Sequence, residues 1–262
     1  MRALSTAATG MMAMELNVQV ISNNLANMTT TGYKRQRAEF QDLLYDHVSR
    51  VGTQTSSQGN ILPVGIDLGS GVKTVGTGRL MSQGSLTQTG NPFDVAIRGD
   101  GLFKIQLPDG TYAYSRDGSF KTDAQGRIVT AQGNVVQPAI TIPANSTGFT
   151  INPQGQVSVV PSGTTTPTVL GQLTLTRFIN PAGLLPMGDN LYQETPASGT
   201  PQDGQPGIDG AGDLQQANLE QSNVDSVSEI TNLITAQRAY EMNSKVISAA
   251  DQMLQATSNL MR

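Results

Sequence analysis

The sequence predicts an α+β protein: a discontinuous coiled-coil domain made from the N- and C-terminal helices, plus a central all-β domain, sandwich- or barrel-like, with a connecting arm. Two observations carry that reading. Apolar residues repeat every seven positions at both ends of the 262-residue chain, and glycine turns punctuate the middle. Composition agrees, since 37% hydrophobic residues, 28 glycines and no tryptophan describe a turn-rich protein with a modest core. The expected boundaries are 1–32 and 220–262 for the helical domain, 33–71 for the arm and 72–219 for the β domain.

The first element is a helix. Leu4, Met11, Val18 and Leu25 fall seven apart, as do Ala7, Met14, Ile21 and Met28, which makes them the a and d positions of four heptads. At about 1.5 Å per residue the helix is about 40 Å long. From Met1 to Tyr33 only Arg2 and Glu15 carry side-chain charge, so the helix has almost no solvated face. Ser22, Asn23, Asn24 and Asn27 lie off the a/d seam in this frame, on faces that a lone hairpin leaves in water and a packed assembly buries. Asparagine can bond across such an interface without desolvating an ion. Thr29 to Thr31 then disfavour more helix, and Gly32 suits the left-handed position after a helix end.

Composition shifts between Tyr33 and Leu68. "TSSQGN" is flexible, and "FQDLLYDHV" is either a short helix or an extended arm. The body from Val72 to Leu219 reads as β. Asp100-Gly101, Asp109-Gly110, Asp117-Gly118, Gln125-Gly126 and Gln132-Gly133 separate short alternating runs such as "FDVAIR" and "LFKIQL", a pattern of antiparallel hairpins. Gln154-Gly155 and Ser162-Gly163 continue it. Pro196 to Asp213 reads as a long loop.

The last element is a second heptad helix. Leu233, Tyr240, Ile247, Leu254 and Met261 fall seven apart, flanked by Ala239, Val246, Met253 and Leu260. Ser226 and Glu229 have capping-box spacing, which starts the helix near Ser226. Two heptad helices at opposite ends of one chain pair most simply with each other. Five of the ten methionines lie at or before Met28 and three at or after Met242, and methionine suits interfaces that must fit varied neighbours. The two ends are therefore expected to complete their packing between subunits and can stay unfolded until they do.

Several chemistries find little support. No cysteine means no disulfide and no thiolate ligand, and the single histidine, His47, gives a triad or a His-rich metal site no room. A net charge of −4 with no basic patch beyond Lys34-Arg35-Gln36-Arg37 leaves nucleic-acid binding unsupported. The N-terminus lacks the clean apolar core of a cleaved signal peptide, and no run is long enough to span a bilayer. "IDLGSGV", Ile66 to Val72, resembles a phosphate loop of the actin and sugar-kinase superfamily but lacks the alternating helices that loop needs. The expectation is no enzyme, no cofactor and no metal. A secreted β-domain adhesin whose helices only dimerise is the alternative of a different class.

Three ordered stretches resemble a known family. "ISNNLANMTTTGYK", Ile21 to Lys34, resembles the N-terminal signature of the flagellar rod, hook and hook-associated axial proteins. Asn218 to Leu254 resembles their C-terminal counterpart, and "NPFDVAIRGDGLFKIQLPDGTYAYSRDGSF", Asn91 to Phe120, resembles the β domain shared by the hook and the longer rod proteins. In length, in Tyr45–Pro63 and in "DNLYQET", Asp189 to Thr195, the chain is similar to the distal rod first, with the other long proximal rod protein or a short hook-type protein as the alternative. The resemblance implies export through the flagellar type III apparatus without a cleaved signal, and helical self-assembly into a hollow drive shaft running from periplasm to outer membrane. The implied partners are copies of itself, the proximal rod proteins, the hook protein and the P-ring and L-ring proteins. Site residues are then interface residues: Leu4, Met11, Met14, Val18, Ile21, Asn24, Leu25, Asn27, Met28, Leu233, Tyr240, Val246, Ile247, Met253, Leu254 and Met261.

Overall fold

The computed structural model describes residues 2–49, 64–163, 166–208 and 210–260. The chain divides into two compact units. One comprises Met1–Leu25, Gln36–Gly78 and Asp225–Arg262; the other comprises Ala26–Arg35 and Arg79–Val224. The stretch expected as a separate arm is thus divided, its first residues joining the β unit and the rest joining the helices. Residues 50–63 of the rod-type segment lie outside the described residues.

In the helical unit, α1 spans Arg2–Ala26 and α2 spans Ser226–Leu260. Asp225 starts α2. Its carboxylate accepts from the backbone N–H of Val227 at 3.1 Å and from the Ser228 hydroxyl at 2.7 Å, satisfying a donor that the first turn leaves open. The Ser226–Glu229 pair does not form the expected capping box, because Glu229 turns inward and is buried. Strands Gln36–Asp42 and Val72–Arg79 pair in the same unit. Strands Tyr45–Ser49 and Ile66–Gly69 form an antiparallel ribbon with His47 opposite Asp67. "FQDLLYDHV" is therefore extended rather than helical. "IDLGSGV" is a strand that leads into a second strand, with no helix for a phosphate to sit against.

The β unit holds a nine-stranded antiparallel sheet, a three-stranded sheet and two short ladders. The strand Leu102–Gln106 is central, pairing with Tyr112–Ser115, Val135–Gln137 and Leu175–Arg177. Ser146–Ile151, Gln156–Pro161 and Thr168–Gln172 form the three-stranded sheet. Phe103, Val136 and Leu175 from one sheet meet Ile151 and Val157 from the other in a single buried cluster, with Phe120 edge-on to Phe103. Alternation supplied those inward residues.

Five of the seven turn signals close hairpins. The other two do not. The strand after "NPFD", Val95–Arg98, pairs with distant Asp213–Gln216 instead of with its neighbour across Asp100-Gly101. At Gly118 a side chain would run into the backbone of Val95, so this glycine permits a close approach rather than a hairpin. The expected loop from Pro196 also contains a strand, Gln202–Gly204, which pairs with Leu175–Arg177. Asp203 and Gly204 disfavour strands by propensity, but Asp203 there accepts from Lys104 at 2.7 Å and from Thr176 at 2.5 Å.

Candidate assembly interface

The helical unit is held by a seam of small and polar side chains. On α1 Ala7, Ala13, Val20, Ile21 and Asn24 are buried, with Gly10, Met14 and Asn17 half-buried on the same side. On α2 the inward residues run Glu229, Leu233, Ala236, Asn243, Ile247 and Ala250. A Cβ on Gly10 would stand 2.9 Å from Asn243 Nδ2, so glycine lets the helices approach there. Asn24 Nδ2 donates to Glu229 Oε2 at 3.1 Å. Both contacts fit one antiparallel register, which sets Asn17 opposite Ala236. Ala7, Met14, Ile21, Leu233 and Ile247 of the expected seam lie on this side, and Gly10, Asn17 and Asn24 join them, because small and polar side chains permit close approach.

Asn24, placed by the sequence off the seam on a face that an assembly buries, is already 1% exposed within the single chain. Its amide accepts from Gln36 N at 2.9 Å and donates to Gln36 O at 2.8 Å, as a strand neighbour would. One side chain thus joins α1, the strand Gln36–Asp42 and α2. Asn27 serves locally, its Oδ1 accepting from the Thr30 hydroxyl at 3.1 Å in the turn that follows α1.

The β unit has its own lock where the chain enters and leaves it. Lys34, Arg116 and Glu220 are all buried. Lys34 Nζ donates to Glu220 Oε1 at 2.7 Å and to Ser82 O at 2.8 Å. Arg116 Nε donates to Glu220 Oε2 at 2.5 Å, and its other nitrogens reach the carbonyls of Ile97, Gly99 and Gly101. Gly84 N adds a bond to Glu220 Oε1 at 2.9 Å. Around this core Asn223 receives Arg35 N at 2.7 Å and donates to Leu80 O and Ser82 O, lacing segments 32–35, 80–85 and 220–223 together. Gly32 belongs here too. It lies beyond the helix end, at φ 68°, where a Cβ would meet the Arg116–Asp117 backbone at 2.9 Å.

The charges respond to burial unequally. Desolvation is the largest influence on Glu220 and would raise it, but Arg116, Lys34 and the Gly84 amide outweigh it and hold the carboxyl below its ordinary value. Lys34 goes the other way for stability: burial lowers it despite Glu220. The two partners disagree because one carboxylate stands between two cations, so the carboxylate is well served and the ammonium is not.

The sequence carries no signal for this lock, because its three charges lie in three segments far apart in the chain.

The remaining expected interface residues separate by exposure. Ile21 is buried, while Leu4, Met11, Met14, Val18, Leu25, Leu233 and Ile247 are half-buried. Met28, Tyr240, Val246, Met253 and Leu254 are exposed, Met253 to 65%. Met261 lies outside the described residues. Val227, Ile230, Ile234 and Met242 are exposed as well, and beyond Ala250 every α2 residue with a described side chain faces solvent. Among the described residues, all three buried apolar clusters lie in the β unit. The helices bury mainly alanine.

Family profiles match three stretches: "Flagella basal body rod protein" over residues 4–34, "Flagellar hook protein FlgE/F/G D1 domain" over 96–159, and "Flagellar basal body rod FlgEFG protein C-terminal" over 215–260. The chain is 57% identical over 260 residues, 99% of each chain, to the flagellar basal-body rod protein FlgG of Caulobacter vibrioides. The chain belongs to the flagellar basal-body rod proteins. Identity to the FlgG of Bacillus subtilis is 38% over the whole of both chains. Identity to the rod protein FlgF of Caulobacter vibrioides is 34%, over 94% of this chain and 91% of that one. This rod protein is a structural subunit of the flagellum. Among the described residues, no helix is long and apolar enough to cross a membrane.

Proposed function

We propose that this rod protein is a distal rod subunit that polymerises helically into a hollow, stiff shaft, carrying torque from motor to hook and conducting later export substrates. One observation carries the reading: two helices of 25 and 35 residues leave a row of large apolar side chains in water, with no large-residue core of their own. A monomer gains nothing from that row, whereas each exposed Leu or Met covered by a neighbour contributes about 1.5–3 kcal/mol. The distal position is supported by 57% against 34% identity to two rod proteins of one organism. In this reading the proximal rod proteins and the hook protein are its axial neighbours, the P-ring and L-ring proteins surround it in the periplasm, and the type III apparatus exports it. The terminal helices form the inner tube and the β unit the outer layer.

The test is Leu254→Asp, in an exposed position that the folded monomer does not use. Unchanged circular dichroism with loss of polymerisation and motility is the expected result. Normal swimming would sink the reading, and a discrete dimer with a ligand on the β surface would favour the adhesin class.

A further inference from the structure

Methionine is concentrated where the exposed row lies. Met12 on α1 and Met242 and Met253 on α2 are 67%, 60% and 65% exposed. Among the described large apolar side chains of the two helices, only Val227 is more exposed. Met12 is the one large apolar residue on a stripe that otherwise reads Ser5, Gln19 and Ala26, seven apart and all exposed. Met242 and Met253 stand three turns of helix apart and share a second stripe with Val246. Met11 and Met14, by contrast, are half-buried. A leucine would cover a neighbour equally well at each exposed position. What methionine adds is a thioether sulfur standing in water, which a peroxide oxidises.

We propose that Met12, Met242 and Met253 form a reversible oxidation site that controls self-association of the helices. The control rests on the self-assembly reading; the oxidation does not. In the reaction a sulfur lone pair takes the terminal oxygen of a peroxide, and the O–O bond breaks. Sulfur is oxidised by two electrons, the hydroxyl proton passes to the departing oxygen, and that oxygen leaves hydrogen peroxide as water. The product is a sulfoxide, whose oxygen is a polar acceptor. In the single chain that oxygen stays in water and leaves the fold untouched. Against a neighbour's apolar side chains it is buried without a donor, which disfavours the contact. Oxidation therefore acts on association and spares the monomer. A dithiol-dependent reductase reverses it, the dithiol becoming a disulfide as the oxygen departs in water.

The test treats the dilute full-length chain with hydrogen peroxide and maps its peptides by mass spectrometry. Met12, Met242 and Met253 are expected to gain one oxygen each before Met11 or Met14 does, with circular dichroism unchanged. Sedimentation should then show the critical concentration for polymer raised about tenfold or more. Methionine sulfoxide reductase with dithiothreitol should return it to its starting value. The combined variant Met12→Leu, Met242→Leu, Met253→Leu should polymerise equally well with and without peroxide, although it keeps Met28 and Met187, which are exposed in the β unit. Assembly at an unchanged concentration by a chain bearing all three sulfoxides overturns the proposal and leaves self-assembly standing. Helicity lost on oxidation overturns it too, since the sulfurs then serve the monomer. A leucine variant that peroxide still disables places the sensitive sulfur elsewhere and has the same force. An untreated native chain that never polymerises removes the self-assembly reading, and the control falls with it. The reductase arm uses the native sequence, so it decides the matter even where the combined variant does not assemble.

Discussion

At the scale of single residues, charge balance decides which substitution hurts. Removing Glu220 strands two buried cations, while removing Lys34 leaves Arg116 and Glu220 as a balanced pair. Glu220→Gln is therefore expected to cost about 3–5 kcal/mol and Lys34→Met clearly less, read from urea unfolding followed by tyrosine signal. The opposite ranking would mean that the lock is not limited by its single carboxylate. The pH dependence has a fixed sign. Because the Glu220 carboxyl is lowered on folding, its contribution is complete above the ordinary glutamate value of 4.5 and is lost as pH falls through the folded value. Glu220→Gln should flatten that acid slope. In the helical unit, Asn24→Ala removes both bonds to the Gln36 backbone and the donor to Glu229. A loss of about 2–3 kcal/mol is expected from the buried groups it deserts, measured by hydrogen exchange of Gln36 N–H and by urea unfolding. An unchanged protection factor at Gln36 would show the amide to be dispensable.

At the scale of elements, the two helices separate internal from external packing. Ile247 and Leu254 share one face of α2, but Ile247 is half-buried whereas Leu254 lies beyond Ala250, where the described side chains face solvent. Ile247→Asp should lower helicity of the dilute monomer, whereas Leu254→Asp should leave it unchanged and act only on polymerisation. Equal effects on the monomer would mean that α2 is covered beyond Ala250 as well. The helices and the start of α2 were legible because propensity and caps are local properties. The part of Gly10, Asn17 and Asn24 in the packing was not, since glycine and asparagine look like weak helix formers until a partner helix is present. Hairpins at Asp109-Gly110 and Gln132-Gly133 were legible for the same local reason. The pairing of Val95–Arg98 with Asp213–Gln216 was not, because nothing in either strand names a partner over a hundred positions away.

At the scale of the whole molecule, apolar residues are divided unevenly. The β unit owns the compact core, and the helical unit owns the exposed row. Limited proteolysis of the dilute chain should therefore leave a stable fragment near Arg79–Val224 while the helical termini are cut first. Termini as resistant as the β unit would mean that the helices are stable without neighbours. The buried triad was the least legible feature of all. Lys34, Arg116 and Glu220 are unremarkable singly, and their meeting exists only after three separate segments converge.

That convergence has a consequence for the order of events. Lys34 and Glu220 stand 186 residues apart, and the acid that neutralises the lysine is among the last parts of the β unit to appear. A chain that emerges from its N-terminus exposes Lys34 early, and burying it alone is unfavourable. The Lys34 segment cannot settle, and loop closure over so long a span is slow. The β unit therefore latches late, after nearly all of its strands have emerged.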